Sequence, residues 1–209
     1  MLLTESEIEE LQERLIQETT NFVVGLAREG ERAAVVLGAA RLDVSLERLL
    51  KKLMHPHPGG SDNLFDSDRP LGSFSAKIAL AYRLGVIDRN FEHALQMIRK
   101  IRNAFAHSID VASLSEQPHN GQLNELIRDV RKDGDSFDNM LHQLRQGGFP
   151  EKLLNFCAAV IVLLMSLEMV EAVSVQLQPV KTAQLDKTRF LEETEGSLER
   201  HDNPAGADC

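Results

Sequence analysis

The sequence predicts an all-α protein, a bundle of about six to eight helices with an acidic tail behind it. Composition is the first reason: Leu, Ala, Glu, Arg and Gln are plentiful, aromatic residues make up only 5% and Trp is absent, which favours helices over sheets. Periodicity is the second, because apolar residues return every three or four positions in segment after segment. Punctuation is the third. Glycine, proline and turn-forming residues fall between those segments, where helices must stop.

Thr4 and Glu7 have the spacing of a capping box and precede Ile8, Leu11, Leu15, Phe22 and Leu26, so a first helix is expected to about Ala27. After a break at Gly30, the apolar series Ala33, Val36, Leu37, Ala40, Val44, Leu46, Leu49, Leu50 and Leu53 predicts a longer helix with more than one apolar face and a central place. Arg48, Lys51 and Lys52 end it with the charge that suits a helix C-terminus. His55 to Asp68, HPHPGGSDNLFDSD, is a loop by its prolines, glycines and turn acceptors. Pro70 is placed to enter a third helix through Leu71, Phe74, Ile78, Ala81 and Leu84, closed by Gly85. Asp88 then opens a helix that runs to Ser108. Turn signals from Asp110 to Gly121 separate it from two short amphipathic segments, around Leu123 to Val130 and Phe137 to Leu144. Gly147 and Gly148 break the chain, Pro150 restarts it, and Glu151 to about Leu177 has the length and apolarity of a buried closing helix. From Pro179 onward apolar periodicity is lost and acidic residues dominate, so the expected organisation is a helical domain over residues 1–178 and a mobile tail over 179–209.

The chain has 209 residues, room for one domain and a tail, with enough aliphatic side chains for a sizeable core. A net charge of −9 argues against broad capture of nucleic acid. The region from Lys77 to His107 is the exception, with Lys77, Arg83, Arg89, Arg99, Lys100 and Arg102 against Asp88 and Glu92. Lys77, Arg83, Arg99 and Lys100 are the candidates there for holding an anion or a partner, although the same charges would equally serve to solvate two helix faces. Cys157, inside an apolar run, and Cys209, the last residue, imply neither a disulfide framework nor a metal knuckle, and a reducing cytoplasm is expected. The acidic amphipathic start is no secretory signal, and Phe156 to Leu167 is too short to span a bilayer, so a core helix is expected there. His55 and His57 lack cysteine companions and their aspartate neighbours are ordinary turn residues, so no metal is expected, and nothing calls for a cofactor. Ser73 and Ser75 have no Asp and His at triad spacing, which argues against a serine hydrolase.

The helix from Asp88 to Ser108 carries the most chemistry. At roughly 100° per residue, Phe91, Ala94, Leu95, Met97, Ile98, Ile101, Ala104, Phe105 and Ile109 share one arc, and Arg102 projects into the middle of it. A guanidinium buried there is expected to meet a carboxylate, a ring of carbonyls or a second subunit, because leaving it unpaired is strongly unfavourable. His107 lies about 140° away on the polar side, one turn above Asn103. Tyr82, His93 and Phe105 are expected to pack rather than to stack on bases.

The stretch DRPLGSFSAKIALAYRLGVIDRNFEHALQMIRKIRNAFAHS, Asp68 to Ser108, resembles the signature region of the mannitol operon repressor family. The likeness lies in the PLG entry, the Lys-containing helix, the LGVI connection and the Arg-x4-His close, and compatible helices extend it over most of residues 1 to 178. It implies an all-helical, homodimeric regulator of carbohydrate uptake that acts through a protein partner or a small effector and has no DNA-reading module. Consistent with this, the sequence shows no helix-turn-helix with an exposed basic recognition helix. Arg102, Asn103 and His107 also resemble the Arg-x4-6-His motif of HEPN (higher eukaryotes and prokaryotes nucleotide-binding) domains, small helical bundles whose ribonuclease members often carry Asn directly after the Arg. That second likeness implies a metal-independent endoribonuclease, the toxin or defence arm of a pair.

Such chemistry needs a base, an acid and a cation for the developing phosphorane charge. His107 would transfer the proton, Arg102 would clamp the phosphate and Asn103 would orient the imidazole. The angle between Arg102 and His107 requires either unwinding near Ala106 or two motifs facing each other across a homodimer groove. The acidic net charge and the lack of a long basic arm weaken RNA capture. A purely structural reading stands beside these: Arg102 as a buried strut, and His107 as a cap on the last carbonyls of its helix.

Overall fold

A computed structural model describes residues 5–57, 59, 63–107 and 113–177. Among these residues there are seven α-helices and no strand: α1 (Glu5–Arg28), α2 (Glu31–Leu53), α3 (Phe74–Arg83), α4 (Arg89–His107), α5 (His119–Val130), α6 (Ser136–Leu144) and α7 (Glu151–Val173). The all-α bundle that composition and periodicity predict is therefore what the chain forms. Contacts divide the chain between Gln176 and Leu177, and the helices all belong to the first unit. The tail over 179–209, Thr4, Ser108 and Ile109 lie outside the described residues.

The bundle is built on α7. Its side chains are apolar on every side, and Leu153, Leu154, Phe156 to Ile161, Leu163, Leu164 and Leu167 are all buried against α1, α2, α5 and α6. A helix without a polar face has nowhere to sit but inside. At 23 residues α7 is longer than the Phe156 to Leu167 run, and by length and composition alone it would suffice to cross a membrane. It is a core helix all the same, with 67% of its most apolar window buried inside the bundle. Cys157 sits in this core, where burial pushes its thiol up to about 12. The second hub is α2, which lies on α7 along one face and on α1, α3 and α4 along the others, in keeping with its several apolar faces.

Three boundaries differ from the sequence reading. Pro70 lies in a turn, and α3 opens four residues later, where the Ser73 side chain accepts the Ala76 N–H at 3.2 Å. The chain between is tied to itself instead: Leu64 O accepts from Leu71 N–H at 3.1 Å, Asp66 O from Arg69 N–H at 2.9 Å, and Phe65 is buried in a single 3-10 turn, Asn63–Phe65. Gly72 is required for that closure, since a Cβ there would stand 2.2 Å from the Asp66 carbonyl oxygen. At the other side of α4, Asn120 and Gly121, read as turn residues, form the first turn of α5. Weak helix formers cost little there because those N–H groups have no intrahelical acceptor in any case. The third difference is the end of α7 at Val173, four residues before Leu177.

Candidate functional site

Asp88 opens α4 as its spacing predicts, its Oδ1 accepting the Phe91 N–H at 2.7 Å. Ala94, Leu95, Met97, Ile98, Ile101 and Phe105 form the buried face of the helix, whereas Phe91 and Ala104 are only half-buried. Arg102 is not in the middle of that face: it is exposed, at its border. Leu95 points the same way two turns earlier and is fully covered. At the level of Arg102 a cleft opens between α2, the entry to α3 and α4.

This cleft has a volume of about 380 Å³. One wall is α2, with Ala39, Ala40, Asp43 and Val44; a second is the entry to α3, Gly72 to Ser75; the third is α4, with Arg99, Arg102 and Asn103. Each guanidinium is held by a neutral amide. Arg99 Nε donates to Gln96 Oε1 at 2.8 Å, and Arg102 Nη1 donates to Asn103 Oδ1 at 3.1 Å. Among the described residues neither arginine forms an ion pair with a carboxylate. Asn103 accepts through its oxygen, so its NH2 group remains to donate. Ser73 and Ser75 hydroxyls lie 3.1 Å apart at the same rim.

Behind the cleft lies a buried cation with two carboxylates. Lys77 is only 3% exposed, and its Nζ is 2.8 Å from Asp43 Oδ1 and 2.7 Å from Glu47 Oε2. Burial on its own would lower the Lys77 ammonium, but the bonds and charges of Asp43 and Glu47 prevail and hold it above the ordinary lysine value. Burial likewise tends to raise Glu47, yet Lys51 and Lys77 hold it below the ordinary carboxylate range. Lys77 is thus a strut between α2 and α3, with no free charge for an anion. Of the four cations singled out for anion or partner binding, Arg99 alone lines the cleft. Arg83 closes the last turn of α3 and Lys100 is exposed on α4, both outside the lining.

His107 is the last residue of α4, exposed, and outside the cleft lining. The structure therefore brings Arg102 and Asn103 together in the cleft and leaves His107 outside its lining, about 140° round the unbroken helix from Arg102. Phe105 packs as expected, buried with its ring 5.1 Å from that of His119. Tyr82 does not, being exposed at the end of α3. His93 forms a polar cluster that spacing gave no hint of: its Nδ1 lies 2.5 Å from Oδ2 of the buried Asp129 of α5, whose Oδ1 accepts from Lys132 Nζ at 3.1 Å. Burial raises Asp129, but the bonds from His93 and Lys132 outweigh it and hold the carboxyl below its ordinary range. His55 Nδ1 is 2.6 Å from Gln176 Nε2 and His57 Nδ1 accepts from Gly59 N–H, and among the described residues no group of three potential ligands gathers to hold a metal ion.

Sequence reasoning missed Asp43, Ser73 and Ser75 as cleft residues. A signal for Asp43 existed, since it stands one turn before Glu47 on a helix face otherwise apolar, opposite the one lysine of α3. Comparison with family models, curated proteins and solved structures finds no match for this chain.

Proposed function

We propose that this protein is a cytoplasmic regulator of the kind the mannitol operon repressor resemblance implies, acting by binding a small effector or a partner protein at the cleft between α2, α3 and α4. One observation carries the reading: Arg99 and Arg102 stand in an open cleft beside Asn103, bonded to neutral amides alone among the described residues. Guanidinium forks in that state are poised for a carboxylate or phosphate from outside. No cofactor and no direct base readout enter into it. Leu37, about half exposed (49%), continues the apolar α2 wall of the cleft, Ala40 and Val44, along the outer face of the helix, and a stripe reaching beyond the cleft favours a homodimer.

A metal-independent HEPN-type ribonuclease using Arg102, Asn103 and His107 is the second reading, favoured by the solvent access of Arg102. It requires the imidazole of a second copy, because His107 of the same chain lies outside the cleft. The test is to incubate purified protein with RNA in EDTA and to scan its melting temperature against a metabolite library. The regulator leaves RNA whole and is stabilised by a library member, and the Arg99→Ala, Arg102→Ala double variant loses that shift. RNA cut in EDTA by the wild type and spared by His107→Ala would replace the regulator with the nuclease.

A further inference from the structure

The cleft is polarised, and its two poles describe the ligand. On α4 and the α3 entry the lining residues carry donors: the Arg99 and Arg102 guanidiniums, the Asn103 NH2, the paired Ser73 and Ser75 hydroxyls, one of which donates to the other, and the first-turn amides of Phe74 and Ser75, which have no intrahelical acceptor. On α2 the only ionisable lining group is Asp43. Its charge is already answered by Lys77 at 2.8 Å, so it does not repel an anion as a bare carboxylate would. Its side chain is nonetheless 30% exposed in the cleft lining, and with the buried Oδ1 beside Lys77 it is Oδ2 that remains to accept. Ala39, Ala40, Val44 and Phe74 supply apolar surface between the poles.

A carboxylate has two oxygens and would leave most of these donors unused, whereas a phosphate monoester offers three equatorial oxygens and a second charge. A volume of about 380 Å³ is within the range of small-metabolite sites. We infer that the cleft binds a small phosphomonoester bearing at least one hydroxyl group, its phosphoryl oxygens on Arg99, Arg102 and the α3 entry and its hydroxyl donating to Asp43. This rests on the reading of the cleft as an effector site and names the effector's chemistry.

Glycerol 3-phosphate is the probe, followed by calorimetry and by amide chemical shifts of the full chain, with inorganic phosphate, glycerol, glycerate and a short oligoribonucleotide as comparison ligands. Glycerol 3-phosphate is expected to bind, to move the Phe74 and Ser75 amide resonances, and to bind more tightly than inorganic phosphate, with glycerol silent. Arg99→Ala and Arg102→Ala should each weaken it by about tenfold or more. Asp43→Ala, which removes both acceptor oxygens, should erase the advantage of glycerol 3-phosphate over inorganic phosphate while leaving phosphate binding in place; Asp43→Ser gives the same readout should the alanine variant fail to fold. Glycerate binding as tightly as glycerol 3-phosphate, the oligoribonucleotide binding more tightly than it, or no binding of either phosphate at about 10 mM overturns the inference. A library ligand of another class that depends on Arg99 and Arg102 would overturn the inference and keep the effector site, whereas ligand binding indifferent to both arginines would remove the site itself.

Discussion

Along the contact between α2 and α7, Arg41 Nη2 lies 2.8 Å from Glu168 Oε1, Arg48 Nη2 lies 2.9 Å from Glu171 Oε2, and Ser45 Oγ completes the group at 3.4 Å from Glu168. On α4 the same residue type is left with neutral amides, Gln96 for Arg99 and Asn103 for Arg102. The first pair of arginines bridges two helices, and its charge is spent within the fold. Among the described residues the second pair bridges nothing beyond its own helix. The difference separates charge that holds the bundle together from charge that remains for something outside it.

Three measurements bear on that contrast. Glu168→Ala strips a buried acceptor from Arg41 and Ser45 and should lower stability by about 2 kcal/mol in urea unfolding, less than for a wholly buried pair because Arg41 is part-exposed. An unchanged urea midpoint would mean that this ion pair is ornamental. Acid should act next. Asp129 and Glu47 are held below the ordinary carboxylate range, so each contributes stability that is present above that range and lost as pH falls through its lowered value. Lys77 is held above its ordinary value, and its contribution is complete below the ordinary lysine range and lost only as pH rises past the raised value. Stability should therefore decline from about pH 4 downward, and Asp129→Asn should show a smaller loss between neutral and acid pH than the wild type. The smallest effect belongs to the cleft: the Arg99→Ala, Arg102→Ala double variant should match wild-type stability within about 0.5 kcal/mol while losing its ligand response. A large loss of stability would return both arginines to the structural class of Arg41.

The parts of the site that were legible in the sequence are local ones. Asp88 caps a helix from three residues away, and Arg102 with Asn103 are neighbours, so no fold is needed to bring either pair together. Placing Arg102 at the centre of the apolar arc erred twice: at roughly 100° per residue it falls at the edge of that arc beside Leu95, and the angle alone says nothing about whether another helix stands opposite. His93 and Asp129 are 36 residues apart, and Lys77 and Glu47 are 30 apart. No spacing rule reaches that far. The entry to α3 was misplaced for a related reason: Pro70 is a good first-turn residue in isolation, and the contact between Gly72 and Asp66 that overrides it closes through a loop.

By itself the sequence determined that the chain would be helical, where most helices would start and stop, and that α7 would be buried, since propensity, capping and a long apolar run act over one or two turns. The tertiary structure decided which charges are consumed and which are left over. That depends on how far apart the surfaces of α2, α3 and α4 stand at a given height, a distance set by the packing of all their side chains together.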